Sequence, residues 1–335
     1  MNNPKVSIIS PCYNGEKFIA RFLHSLLTQT YDNIEAIIIN DGSSDSTEDI
    51  ALSFEEKFKN RGFGFKYIYQ NNAGQSAAIN KGLEIFSGDY LTWLDSDDYL
   101  PPYAIEKKVN FLNSNPSCGT VISKVQVVQE DTLSNLFIES RRKPHGKDEI
   151  FFDLIKGNNV FYSPGGYMVR TSMFRKVMPN PIKIEAPREI GQNFQLLLPI
   201  VYKYPVGYID DICYYYVIRK NSHSHTRKSY EQLEQKAKIA NHTLKKITSA
   251  LTNNPNEIEK INAAIHYRFL LTRLNNIYTY PNKENLNLII SEIYKYNYID
   301  YRTKQLIRRI KYPLYDYLIR GFQLLEKKIA FITFS

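Results

Sequence analysis

A chain of 335 residues that is 43% hydrophobic and 23% charged is long enough for one large domain plus a smaller one, with the composition of a water-soluble globular protein. No run approaches the roughly eighteen apolar residues of a membrane-spanning helix, and Met1-Asn2-Asn3-Pro4-Lys5 lacks the apolar core of a signal peptide. The formal charge is +9, and Cys12, Cys118 and Cys213 are too scattered for a disulfide framework or a zinc site. Reduced, packed thiols and a cytoplasmic setting are the expectation.

Lys5 to Ser10 is a β-branched run stopped by Pro11, which predicts the first strand. Phe18, Ile19, Phe22, Leu23, Leu26 and Leu27 recur at helical spacing and form one apolar stripe. Ile34 to Asn40 is nearly all apolar, the pattern of a parallel strand covered on both faces. Asp41-Gly42-Ser43-Ser44-Asp45 has turn chemistry. Asp45, with Glu48 three residues on, reads as the capped start of a helix through Ile50 to Phe58. A strand from Phe65 to Tyr69 precedes Asn71-Asn72-Ala73-Gly74, then a helix from about Gln75 to Phe86 and a strand from Tyr90 to Leu94. Such βαβα alternation predicts a mostly parallel sheet with helices on both sides.

Beyond it, Tyr103 to Leu112 predicts a helix, Thr120 to Gln129 a strand, and Ser134 to Lys147 a polar, basic, mobile loop over the site. Ser163 to Arg170 reads as a turn and strand, Gln192 to Tyr202 as a helix, and Tyr208 to Ile218 as a tyrosine-rich strand. After about Tyr230 the pattern is helical and polar, with breaks at Pro255, Pro281 and Pro313. The expected division is an α/β domain over 1–228 and a helical, basic C-terminal region over 229–335. From Arg302 to Ser335, eight basic residues are offset only by Asp316 and Glu326. Mixed with Tyr, Phe, Leu and Ile, they suggest attraction to an anionic surface such as lipid headgroups. A solvated face on packed helices uses the same residues. No nucleic-acid motif accompanies the charge, so nucleic acid is not an expected partner.

Asp95-Ser96-Asp97-Asp98, closing the run Tyr90-Leu91-Thr92-Trp93-Leu94, is the most informative motif. Carboxylates this dense repel one another unless a cation sits among them. Hard divalent ions, Mg²⁺ or Mn²⁺, take such oxygen ligands together with substrate phosphates. Ligands of open α/β sheets bind at the carboxyl ends of strands, although a solvated turn with an Asp cap would use the same letters. After the first strand stands Pro11-Cys12-Tyr13-Asn14-Gly15-Glu16. There is no dinucleotide glycine triplet and no Walker loop, which disfavours an NAD enzyme or a P-loop ATPase. A proline, an aromatic ring and polar side chains suit a nucleobase, and Asp41 supplies an acceptor for the N–H of a uracil-like ring.

Taken in order, Pro11-Cys12-Tyr13-Asn14, Asn40-Asp41-Gly42-Ser43-Ser44-Asp45, Asn72 to Gly82 and Asp95-Ser96-Asp97-Asp98 resemble the donor-binding half of glycosyltransferase family 2. The resemblance is close over residues 4 to 130 and looser to about 227. It implies an α/β fold of the GT-A type: a mostly parallel nucleotide-binding sheet flanked by helices, here with a C-terminal helical extension. It also implies that Pro11, Tyr13 and Glu16 line the base pocket, Asp41 bonds the base, Asn72 and Gln75 lie along the nucleotide, and Asp95 with Ser96 approaches the ribose. Asp97 would hold the divalent ion. Arg219-Lys220-Asn221-Ser222-His223-Ser224-His225 resembles the family's segment over the diphosphate, with Arg219 and Ser222 on phosphate and His223 or His225 on metal or pyrophosphate.

Two departures stand out. Ile79 occupies the place where many relatives carry arginine, and Gly191-Gln192-Asn193 replaces the usual Glu-Asp pair of inverting members. Amides cannot take a proton, so Glu189 is the best carboxylate candidate for base, with Asn193 in the site. The implied activity is metal-dependent, inverting transfer of a sugar from a nucleotide sugar, a UDP-sugar, to a saccharide or lipid-linked acceptor hydroxyl. Its setting would be surface-polysaccharide assembly, with peripheral contact at the inner face of the bacterial membrane. The alternative is a catalytically degenerate nucleotide-sugar-binding protein.

Overall fold

The computed structural model describes residues 3–139, 147–157, 163–185, 192–219, 228–281, 283–296 and 300–312. The chain divides into two compact units, Met1–Thr226 with Lys246–Ile258, and Arg227–Lys245 with Glu259–Ser335.

The first unit opens with β1 (Val6–Cys12), α1 (Ile19–Leu27), β2 (Ile34–Asp41), α2 (Thr47–Leu52), α3 (Glu55–Asn60), β3 (Gly64–Gln70), α4 (Gln75–Ile85) and β4 (Tyr90–Trp93). Every residue of β1, β2 and β4 is buried, as parallel strands covered on both faces must be. Helix α1 buries Ile19, Phe22, Leu23 and Leu26 against them.

These four strands are parallel in the order β3-β2-β1-β4. Their carboxyl ends therefore lie side by side, with Cys12 beside Asn40, Asn40 beside Tyr69, and Ile9 beside Trp93. The loops 13–18, 42–46, 71–74 and 95–99 all leave from this one edge of the sheet.

The unit continues with α5 (Ala104–Ser114), β5 (Thr120–Gln129), β6 (Asn135–Glu139), α6 (Lys147–Lys156), a 3₁₀ turn at Pro164–Gly166, β7 (Tyr167–Arg170), α7 (Thr171–Val177), α8 (Asn193–Lys203) and β8 (Val206–Ile218). Strand β7 bridges β4 and β5 antiparallel, β6 pairs antiparallel with β5, and β8 runs parallel along the other side of β5. The sheet is thus mixed in its second half.

The stretch expected as a loop from Ser134 contains this strand β6, with Phe137 paired to Val127 and Ile138 to Gln126. Ladder bonds for the apolar Leu136-Phe137-Ile138 outweigh the polar composition around them; residues 140–146 lie outside the described set. The helix expected through Ile50 to Phe58 is two helices, α2 and α3, joined at Ser53 and Phe54. All three cysteines are free and buried.

The second unit draws on α9 (Tyr230–Ser249), α10 (Pro255–Thr279), α11 (Lys283–Lys295) and α12 (Tyr301–Lys311). Its core gathers Leu270, Leu274, Ile277, Ile289, Ile293 and Leu306. Asp300 caps α12 by accepting from the Thr303 amide at 2.7 Å, and the Tyr267 hydroxyl donates to the same carboxylate at 2.6 Å. Among the described residues no helix is long and apolar enough to cross a membrane.

Candidate active site

The four loops at the sheet edge are tied to one another by side chains. Asn14 takes a left-handed backbone conformation with φ 48°. From there its amide donates to Ser43 Oγ at 2.9 Å, and its Oδ1 accepts from the Ser44 amide at 2.9 Å. The Gly15 amide donates to Thr47 Oγ1 at 2.7 Å and the Glu16 amide to Asp45 Oδ2 at 3.0 Å. Burial opposes ionisation of Asp45, but bonds from Thr47 and the Glu16 amide hold its carboxyl below the usual range. Pro11 is fixed within β1 beside Ile39, whereas the Tyr13 ring is exposed at the edge. Glu16, also exposed, accepts from the Ser46 amide at 3.3 Å.

Asp41 is buried and already engaged. Its Oδ1 accepts from Gln70 Nε2 at 2.7 Å and the Ala73 amide at 2.9 Å, and its Oδ2 accepts from the Gly74 amide at 2.8 Å. The carboxylate therefore shapes the 72–74 loop and keeps about one acceptor position for a ligand. Gly42 must be glycine here, because its φ is +75° and a Cβ would lie 2.6 Å from the Asn72 amide nitrogen. That close approach sets where Asn72 stands. Ile79 is buried on α4, and the neighbouring Asn80 bonds both the amide and the carbonyl of Ile184 at 2.8 and 2.9 Å.

At the end of β4, one oxygen from each of Asp95, Asp97 and Asp98 lies within 4.8 Å of the others. The three have different jobs. Asp98 is 1% exposed and accepts from the Tyr214 hydroxyl and, at 2.7 Å, from the Val217 amide. It stitches the loop to β8 and is not an open ligand, although burial and the charges of Asp97 and Asp95 push its carboxyl well above the usual range. Asp95 accepts from Gln75 Nε2 at 2.6 Å. Burial, then the Asp97 charge, pushes its carboxyl up to about 7. Asp97 forms an ion pair with Arg219, and its carbonyl accepts from the Arg21 guanidinium. The Arg219 guanidinium lies 4.8 Å above the Phe18 ring.

Ser96 is buried, and burial pushes the neighbouring Cys12 thiol up to about 12. That thiol stays protonated and supplies no soft ligand. An all-oxygen donor set in a partly desolvated corner fits Mg²⁺ or Mn²⁺, with Asp97 as the carboxylate that would hold the ion.

At the start of α8, Gln192 and Asn193 are both buried, and Asn193 Oδ1 accepts from the Trp93 indole N–H at 2.7 Å. Asn193 therefore sits directly behind the last residue of β4. Glu189, Ser222 and His223 lie outside the described residues. Sequence reasoning did not find Arg21, Tyr214 or Val217, each of which bonds the acidic loop from a distant element, or Phe18, which lies under the Arg219 guanidinium. The tyrosine-rich strand was the one available signal, and it did not say which tyrosine turns inward.

An acidic corner at the carboxyl end of β4, with the loops of the neighbouring parallel strands leaving from the same edge, is where an open α/β sheet binds its ligand. The profile of glycosyl transferase family 2 matches residues 7–178, more than half of the chain, and the chain belongs to that family. An uncharacterized glycosyltransferase of Rickettsia typhi is 31% identical over 176 residues, 52% of this chain and 53% of the relative. Glycosyltransferase GlyA of Streptococcus pneumoniae is 30% identical over 225 residues, 65% of this chain and 31% of the relative. The chain thus spans about half the length of the first curated relative and less of the second.

Among solved structures, S. aureus TarS 1–349 in complex with UDP-GlcNAc superposes with TM-score 0.62 at 19% identity, covering 87% of this chain and 80% of that one. The mannosyltransferase PcManGT from Pyrobaculum calidifontis, in complex with GDP-Man and Mn²⁺, gives TM-score 0.54 at 15% identity, covering 92% and 85%. At such identities the likeness establishes the shared GT-A-type fold.

Proposed function

We propose that the protein transfers a sugar from a nucleotide sugar, a UDP-sugar, to an acceptor hydroxyl with inversion, using Mn²⁺ or Mg²⁺ at Asp97. The observation that carries this reading is the carboxylate corner of Asp95 and Asp97 at the carboxyl end of β4, facing the cation of Arg219. A divalent ion bound there would neutralise charge growing on the departing nucleoside diphosphate. In this reading Tyr13, Pro11 and Glu16 flank the base, the remaining acceptor position of Asp41 takes the base N–H, and Asp95 with Ser96 takes the ribose. Arg219 and Ser222 bind phosphate oxygens, Arg219 by its bidentate fork, and His223 completes the metal shell. The neighbours with UDP-GlcNAc and with GDP-Man and Mn²⁺ support a nucleotide-sugar donor and a metal.

Glu189 is the proposed base, with Asn193 orienting the acceptor, a saccharide or lipid-linked alcohol in cell-envelope polysaccharide assembly. The basic residues Lys304, Arg308, Arg309 and Lys311 of α12, next to exposed Tyr301 and Tyr312, support peripheral contact with an anionic membrane face. One observation favours a second reading, a nucleotide-sugar-binding protein without turnover: amides stand at 192 and 193, and Asn193 is committed to Trp93.

Thermal shift with Mn²⁺ and a panel of nucleotide sugars tests the donor assignment. A ligand at a hundred times its Kd stabilises the fold by about 2.7 kcal/mol, and Asp97→Ala should remove most of that gain. An unchanged metal-dependent shift in the variant refutes the role of Asp97. Donor hydrolysis or transfer decides between enzyme and binder.

A further inference from the structure

We propose that Arg219 occupies the place of the divalent cation at Asp97 in the nucleotide-free protein, and that the arriving diphosphate draws the guanidinium away so that Asp97 becomes a metal ligand. The inference deepens the proposed function and rests on its reading of Asp97. It assigns Arg219 two successive partners, and so makes metal and nucleotide binding mutually dependent.

The acidic corner needs a positive charge, because the carboxyl oxygens of three aspartates crowd within 4.8 Å. In this structure Arg219 supplies it. The Arg219–Asp97 pair is only partly exposed, at 29% and 20% of the two side chains, so water screens it incompletely. The pair is also held from both sides. The Arg21 guanidinium fixes the Asp97 carbonyl, and Val217, two residues before Arg219, is pinned to Asp98 through its amide.

The exchange therefore needs a side-chain swing and no shift of either backbone. Phe18 offers the guanidinium a flat surface to slide on. Arg219 has donor capacity to spare, since its buried Nε has no hydrogen-bond partner. A diphosphate presents several anionic oxygens in the geometry a guanidinium prefers, which one carboxylate cannot match.

A dication approaching alone meets Arg219 already on Asp97 and is repelled. A dication arriving with a nucleotide meets a carboxylate that Arg219 has released. By linkage, the metal must tighten the nucleotide by the same factor that the nucleotide tightens the metal.

The test titrates Mn²⁺ into the 335-residue chain by electron paramagnetic resonance of free Mn²⁺, with and without UDP, correcting for Mn²⁺–UDP in solution. In the parent protein UDP should tighten Mn²⁺ on the order of tenfold or more. Arg219→Gln should bind Mn²⁺ alone several-fold more tightly than the parent does, and should lose most of the UDP effect. Arg219→Lys, which keeps the cation, should leave Mn²⁺ alone as weakly bound as in the parent. If Arg219→Gln does not fold by circular dichroism, Phe18→Leu removes the ring beneath the guanidinium and should move Mn²⁺ affinity in the same direction by less. Equal Mn²⁺ affinity in parent and variant, with UDP still tightening both, overturns the exchange and leaves the metal assignment standing. No Mn²⁺ binding in either protein, even with UDP, overturns the proposed metal dependence and the exchange with it.

Discussion

Tyr214 and Asp98, 116 residues apart in sequence, meet through a buried hydrogen bond that fastens the acidic loop after β4 to strand β8. The second Asp98 oxygen takes the Val217 amide at 2.7 Å, so this carboxylate is consumed in holding Asp95 and Asp97 where they stand. Removing a partner from a buried acceptor costs about 1–3 kcal/mol, and more when the acceptor is charged. Tyr214→Phe keeps the ring and deletes only the donor. It should lower stability in urea denaturation by about that amount, and Asp98→Leu, which leaves both the Tyr214 hydroxyl and the Val217 amide without an acceptor, should cost more. A loss below about 0.5 kcal/mol, the range of ordinary surface changes, would contradict the arrangement.

The same tyrosine ring is why residue 165 has no side chain. A Cβ at Gly165 would lie 2.0 and 2.1 Å from Tyr214 ring atoms, and that ring is fully buried. Overpacking a rigid core costs about 1–3 kcal/mol. Gly165→Ala should therefore destabilise the protein, and by moving Tyr214 it should weaken the metal-dependent response to nucleotide. Gly166→Ala serves as the control, because its Cβ would meet only Val125 at an ordinary 3.5 Å.

Lys108 gives the protein a pH signature. It is fully buried on α5, its Nζ donates to the Gly165 carbonyl, and burial pushes its amine down to about 8 from 10.5. Between those values the folded protein has shed a proton that the unfolded chain still binds, so this group's contribution to stability rises with pH from about 8 to 10.5 and is flat outside that window. The stability difference between the parent and Lys108→Met, followed by urea denaturation from pH 7 to 11, should shift in the parent's favour across that interval. A pH-independent difference would mean that Lys108 is not the titrating group.

The contact between Trp93 and Asn193 separates structural from chemical roles at the start of α8. Both Asn and Asp offer an acceptor to the indole N–H, whereas leucine offers none. Asn193→Asp should retain near-parental thermal stability, while Asn193→Leu strands a buried donor and loses about 1–3 kcal/mol. Equal losses in the two variants would show that the indole bond does not matter to the fold.

Much of the site was legible in the sequence because it follows local rules. The alternation of short apolar runs with helical stripes fixes parallel strands, and parallel strands deliver their carboxyl-terminal loops to one edge, so Asp41, Asn72 and Asp95 had to share that edge. The density of carboxylates in Asp95-Ser96-Asp97-Asp98 announced a cationic partner without any structure. Composition misled at Asn135–Glu139, where Leu136, Phe137 and Ile138 pair with β5 despite their polar surroundings.

What the linear order could not convey is which of several like residues does which task. Three aspartates read alike as letters, yet only packing against Tyr214 and Val217 makes Asp98 a fastener, and only the approach of Arg219 from the end of β8 gives Asp97 its counter-charge. Local pattern determined the strands, their loops and the acidic motif, since these depend on residues close in the chain. The assignment of partners came from contacts a hundred or more residues apart, which burial and electrostatics select only once the sheet has closed.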